Sequence, residues 1–145
     1  MTTRIRPQSA AALLALSMLT PLAFAEPDLS ATDALAATMA GKLRLIDIRT
    51  PDEWRQTGVA PGVARADFYR GPEALEQSIL ELVGGDRTAP IALICRTGNR
   101  TTQAQKFLQS RGFTQVYNIR EGMAGSAAGP GWLRRGLPVE SCMNC

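Results

Sequence analysis

Residues 90–100 read PIALICRTGNR: a proline, four apolar residues from Ile91 to Ile94, a thiol at Cys95, and a polar loop with an arginine at each end. The unbroken apolar run between turn signals predicts a strand buried on both faces, the kind found in parallel sheets covered by helices. Cys95 then stands at the carboxyl end of that strand, and Arg96 to Arg100 wrap toward the start of a helix. Ligands of open α/β sheets gather at such ends, where a helix start offers unpaired N–H groups and the positive end of a dipole. Gly98 permits the tight path that turns successive amides inward into an anion-binding nest. Cysteines beside arginines and helix starts are held as thiolates, and Arg96 and Arg100 add charge that deprotonation cannot remove. The chain has no histidine, so backbone and guanidinium groups have to activate this sulfur without a general base. The plainer reading is a buried structural cysteine followed by a polar turn. Two cations flanking a turn glycine contribute nothing to packing and favour chemistry, which also requires a thiol open to solvent.

Around this centre the chain alternates between helix-like and strand-like pieces. SATDALAATMAG (30–41) offers Ser30 as N-cap, Leu35 and Met39 on one face and Gly41 as the stop, so it predicts a short helix. LRLIDI (43–48) reads as a strand. In TPDEWRQTG (50–58), Thr50 caps, Pro51 takes the first helical position, and Asp52 and Glu53 suit the first turn of a helix that ends before Gly58. GPEALEQSILELVGG (71–85) has Leu75, Ile79, Leu82 and Val83 at helical spacing and a double glycine at its end. TTQAQKFLQSRGF (101–113) is a helix closed by Gly112, and QVYNI (115–119) a third strand. Strands separated by helices predict a single α/β domain with a central, mostly parallel sheet flanked by helices. The glycine-rich stretch 120–136 reads as irregular, with Trp132 as its anchor into the core.

At the N-terminus, Arg4 and Arg6 precede a short apolar run ending in Ala23-Phe24-Ala25, the pattern of a leader cleaved after Ala25. The run before Pro21 is too short to span a bilayer, so the expectation is a periplasmic or secreted protein with no stable membrane insertion. The expected organisation is a leader at 1–25, a domain at 26–140 and a tail at 141–145. Cleavage of the 145-residue chain leaves 120 residues, enough for one domain. The whole chain carries +3, and its basic residues are scattered without interleaved aromatics, which excludes a nucleic-acid surface. Three cysteines leave one unpaired. Joining Cys142 to Cys145 in the terminal CMNC is the simplest pairing and leaves Cys95 free, although spacing alone does not fix connectivity. Two cysteines without histidine make half of a zinc site, so no metal and no cofactor is expected.

Three stretches, in order, resemble the rhodanese family of sulfurtransferases. LIDIRTPDEWRQTGVAPG is similar to its N-terminal signature at Asp47, Arg49, Glu53, Trp54, Gly58, Pro61 and Gly62. CRTGNRT resembles the active-site loop of single-domain members, and VYNIREGMAG with GWLRRGLPV resembles the C-terminal signature. The likeness is nearest to the periplasmic branch. It implies that Cys95 is the nucleophile and sulfur carrier, taking sulfur from thiosulfate or a similar donor and passing it to cyanide or a thiol. It further implies that Arg96, Thr97, Gly98, Asn99 and Arg100 bind the donor, the amides cradling the persulfide and the two guanidinium groups holding oxyanions. Asp47, Arg49 and Glu53 are then supporting residues, with an Arg49–Glu53 ion pair bracing the loop. Many relatives have His-Ile where Val59 and Ala60 stand here.

Two other function classes compete. Protein phosphatases and some arsenate reductases share the Cys-loop-Arg design, but with five residues between Cys and Arg instead of the four here, and the smaller ring suits sulfur better than phosphate. In the other class the scaffold is a binding or redox module that presents Cys142 and Cys145 to a partner such as a periplasmic redox protein. That tail pair is either a plain disulfide or a relay that lifts sulfur from Cys95.

Overall fold

The computed structural model describes residues 27–145; the leader and its cleavage site lie outside the described residues. Ser30 caps helix α1 (Ala31–Met39) by accepting from the Asp33 N–H. Strand β1 (Arg44–Asp47) leads through Thr50 into α2 (Pro51–Thr57), which starts with a full capping box: Thr50 accepts from the Glu53 N–H and the Glu53 carboxylate accepts from the Thr50 N–H. After β2 (Ala64–Arg65) and a 3₁₀ turn (Phe68–Arg70) come α3 (Pro72–Leu82), β3 (Ile91–Ile94), α4 (Asn99–Ser110), β4 (Val116–Asn118) and α5 (Gly131–Arg134). None of the described helices is long and apolar enough to cross a membrane.

The four strands form one sheet in the order β2-β1-β3-β4, and every pairing is parallel. The alternation of a pleated strand divides the core in two. Ile46, Ile48, Ile91, Leu93 and Cys95 face a cluster with Leu75 and Ile79 of α3 and Ala104 and Leu108 of α4. Leu45, Ala92 and Ile94 face the other, with Ala31 and Ala34 of α1, Met123 and Trp132. All four residues of β3 are buried, as expected of a strand covered on both sides.

Helix α1 turns a different face inward from the one its sequence suggests. Ala31 and Ala34 are buried and Leu35 packs half-buried against the same cluster, while Met39, near the end of the helix, is 79% exposed. β2 and α5 are additions to the elements read from the sequence. Trp132 is fully buried as expected, its indole N–H donating to the Pro138 carbonyl at 2.9 Å.

Candidate active site

The sheet register sets the site. Asp47 lies level with Ile94 of β3 on one side and Arg65 of β2 on the other, so Cys95, one residue further, ends the central strand at the sheet's carboxyl edge. Gly98, with φ +89°, is the N-cap of α4, and the helix begins at Asn99. The loop therefore has only Arg96, Thr97 and Gly98 outside the helix, and Asn99 and Arg100 form its first turn.

The backbone at the start of this loop is tied to the glycine-rich segment, and its end, at Gly98 O, to the first turn of α4. Its first two carbonyls point back: Cys95 O accepts from the Met123 N–H and Arg96 O from the Ala124 N–H, each at 2.9 Å. Its amides point forward, and Gly98 N–H donates to Cys95 Sγ at 3.2 Å. The N–H groups of Arg96, Thr97, Asn99, Arg100 and Thr101 donate to no acceptor among the described residues. The three helical ones are the orphan donors of a helix start. Thr101 adds a hydroxyl 3.6 Å from Sγ while donating to Gly98 O at 3.0 Å.

The glycine-rich segment, which reads as irregular in sequence, is the back wall of this loop. A Cβ on Gly98 would collide with Arg120 O, and one on Gly122 with Arg96 O. Two backbones thus touch where no side chain fits. Behind them Glu121, 3% exposed, accepts from the Ala31 and Gly131 N–H groups, both at 2.7 Å, and from Arg135 Nε. Burial pushes the Glu121 carboxyl up, but the Arg135 guanidinium and those two amides outweigh it and hold it below its ordinary value.

The expected Arg49–Glu53 ion pair is not formed. Arg49 is buried against Asp47, its Nε 3.0 Å from both carboxylate oxygens and its Nη2 2.7 Å from Oδ2. Its remaining donors reach Thr57 Oγ1 at 2.7 Å, Gly58 O at 2.9 Å and only the main-chain carbonyl of Glu53 at 3.3 Å. A fully buried carboxylate needs a counter-charge, and Asp47 takes the guanidinium nearest along the strand. The Glu53 carboxylate instead forks with Arg100, both contacts at 2.7 Å. The Arg100 hydrogen bonds hold Glu53 down at about 2 against the opposing effect of burial, with help from the Thr50 N–H. The Arg100 guanidinium also lies 5.5 Å from the Tyr69 ring centroid.

The two arginines of the loop are therefore unlike. Arg96 is exposed, without a side-chain partner among the described residues, and borders a small cleft with Arg49, Gln56, Thr57 and Leu133. Arg100 is braced by Glu53. The expectation of an open thiol is not met: Cys95 is 1% exposed, because its side chain points to the α3/α4 side, into the cluster with Ala66, Leu75 and Ala104. Val59 and Ala60 are buried, and Val59 pairs with Glu140 of the tail in an antiparallel bridge. Cys142 and Cys145 are disulfide-bonded, with Cα atoms 5.4 Å apart. Among the described residues no hydrogen bond or ion pair links that pair to the Cys95 loop. Tyr69 and the residues of the back wall were missed in the sequence; the glycines at 122 and 125 were the available sign of close backbone approach.

A model of the rhodanese-like domain matches residues 30–128. A protein named sulfurtransferase from Allochromatium vinosum is 32% identical over 95 residues, covering 66% of this chain and 76% of its own length. An uncharacterized protein of Rickettsia conorii is 30% identical over 99 residues, covering 65% of this chain and 80% of its own. Among solved structures, the polysulfide-sulfur transferase homodimer of Wolinella succinogenes matches with a TM-score of 0.61 at 27% identity, over 81% of this chain and 80% of that one. The rhodanese-like domain of an Anabaena protein matches with a TM-score of 0.64 over 82% of each chain, and at 21% identity that likeness is one of fold.

Proposed function

This chain belongs to the rhodanese-like family, and from that premise we propose that it is a sulfurtransferase carrying sulfane sulfur on Cys95, from thiosulfate or a similar donor to cyanide or a thiol acceptor. The Cys95 thiolate attacks the outer sulfur of the donor, a new S–S bond forms, and sulfite departs with the electron pair of the old one. An acceptor nucleophile then attacks the outer sulfur of the persulfide, and Cys95 leaves as the thiolate. This is covalent catalysis in two displacements. The observation that carries the reading is the loop that follows Cys95, whose N–H groups at Arg96, Thr97, Asn99, Arg100 and Thr101 find no carbonyl acceptor among the described residues while the Gly98 N–H donates to the sulfur itself. Preorganised amides of this kind stabilise a thiolate, a persulfide and a departing oxyanion.

The two guanidinium groups divide the work. Arg96, free at the surface, meets the donor's oxyanion, and Arg100, fixed on Glu53, supplies a stationary field. Because Cys95 is buried among Ala66, Leu75 and Ala104, local opening at the carboxyl end of the strand precedes attack, and a slim donor is favoured over a bulky one. The same arrangement speaks against a Cys-loop phosphatase or arsenate reductase: Arg100 is forked on a carboxylate and not held ready to clamp a tetrahedral oxyanion. We place the working protein in the periplasm or outside the cell, after cleavage following Ala25, on the strength of residues 1–25.

Intact-protein mass spectrometry after thiosulfate treatment tests the assignment. One added sulfur is expected, mapping to Cys95 by peptide analysis and lost in Cys95→Ser. Addition at Cys142, or none at all, removes Cys95 from the role.

A further inference from the structure

The sulfur-transfer reading leaves the C-terminal disulfide unused. Cys142 and Cys145 are each partly exposed, and Met143 between them is 74% exposed. Their bridge closes a loop over two residues and ties no part of the tail to the domain, and short loops constrain the unfolded chain least. The tail is attached by other means. Val59 N–H donates to Glu140 O at 2.9 Å, Glu140 N–H donates to Val59 O at 2.8 Å, and Arg55 Nη1 donates to the Cys145 carbonyl at 2.6 Å.

One cation addresses both sulfurs. Arg65 Nη1 is 2.7 Å from Cys142 Sγ and also contacts Cys145 Sγ. The guanidinium is held in place by the Trp54 ring, 5.6 Å from its centroid. A neutral disulfide gains little from such a neighbour, whereas a thiolate released by reduction gains a charge-assisted contact. Arg65 is at the carboxyl end of edge strand β2, on the face of the sheet shared by its partner Asp47 and by Ile94. Cys95 points to the opposite face, so this chemistry is separate from the persulfide site and stands whether or not Cys95 carries sulfur.

We propose that Cys142 and Cys145 form a thiol–disulfide exchange site that takes two electrons from a dithiol, with Arg65 stabilising the thiolate it produces. A thiolate of the dithiol attacks one tail sulfur, the Cys142–Cys145 bond breaks, and the departing sulfur keeps the electron pair beside Arg65. The second thiol of the donor, deprotonated, attacks the mixed disulfide and leaves as part of a new disulfide. The donor is oxidised, the tail is reduced to two thiols, and protons balance through solvent. The exposed Met143 gives a protein dithiol an apolar contact beside the reacting bond.

The test uses the full-length chain carrying Cys95→Ser, so that only the tail thiols report. The protein is equilibrated with reduced and oxidised dithiothreitol in varied ratio, trapped with an alkylating agent, and the reduced fraction read by mass. Arg65→Gln is expected to shift the equilibrium about tenfold toward the disulfide, equivalent to about 30 mV for a two-electron couple, with Arg65→Lys restoring most of the difference. Equilibria that agree within about twofold with and without the Arg65→Gln substitution, a shift toward the dithiol, or a bridge that excess dithiothreitol leaves intact in the folded protein would each overturn the proposal.

Discussion

Glu53 works at two places with one carboxylate. It completes the capping box of α2 and it fixes Arg100, the second arginine of the Cys95 loop. Its folded value of about 2 lies below the ordinary 4.5, so the stability linked to it is present above about 4.5 and is lost as pH falls toward 2. Glu53→Gln is expected to cost about 1–2 kcal/mol at neutral pH, measured by urea unfolding, and the gap between variant and parent should close as pH is lowered through that window. At this scale the residue types were legible and their partners were not. The resemblance implies an Arg49–Glu53 pair, yet Arg49 turns into the sheet, where buried Asp47 makes the stronger demand. The closure over Cys95 was equally hidden, because alternation along PIALIC does not tell which neighbours fill the space beyond its end.

Elements were legible where caps and periodicity were strong. Thr50, Pro51 and Glu53 mark the start of α2, and Leu75 and Ile79 mark the buried face of α3, all read without a structure. β2, with two residues, and α5, with four, are too short to carry any period; only tertiary contact defines them. The same holds for the segment behind the Cys95 loop, whose place as a wall emerges from two backbones in contact. That contact gives a sharp expectation. Gly122 has φ +65° and its Cβ would press on Arg96 O, so Gly122→Ala should destabilise by about 2–3 kcal/mol. It should also slow sulfur loading of Cys95 by about 100-fold, since misplacing reacting groups by about 1 Å has that effect. Time-resolved mass spectrometry after thiosulfate addition measures it.

For the whole molecule, a parallel α/β domain follows from the alternation of strands and helices, and the sheet is parallel throughout. The order β2-β1-β3-β4 was beyond the sequence, because crossovers decide it and crossovers leave no local pattern. Buried charge ties the layers: Asp47 with Arg49 joins β1 to the end of α2, and Glu121 joins the start of α1 to the start of α5. Asp47→Asn leaves the Arg49 guanidinium buried without an anion and is expected to cost about 3–5 kcal/mol, seen as a fall in the midpoint of urea unfolding. Position within the domain also governs how Cys95 ages. Oxidation to sulfenic and sulfinic acids requires access to the sulfur, and the packing of Cys95 against Ala66, Leu75 and Ala104 withholds it. Peroxide and stray disulfides meet a shut door, and on the proposed reading a sulfur atom parked behind it is spared the same attack.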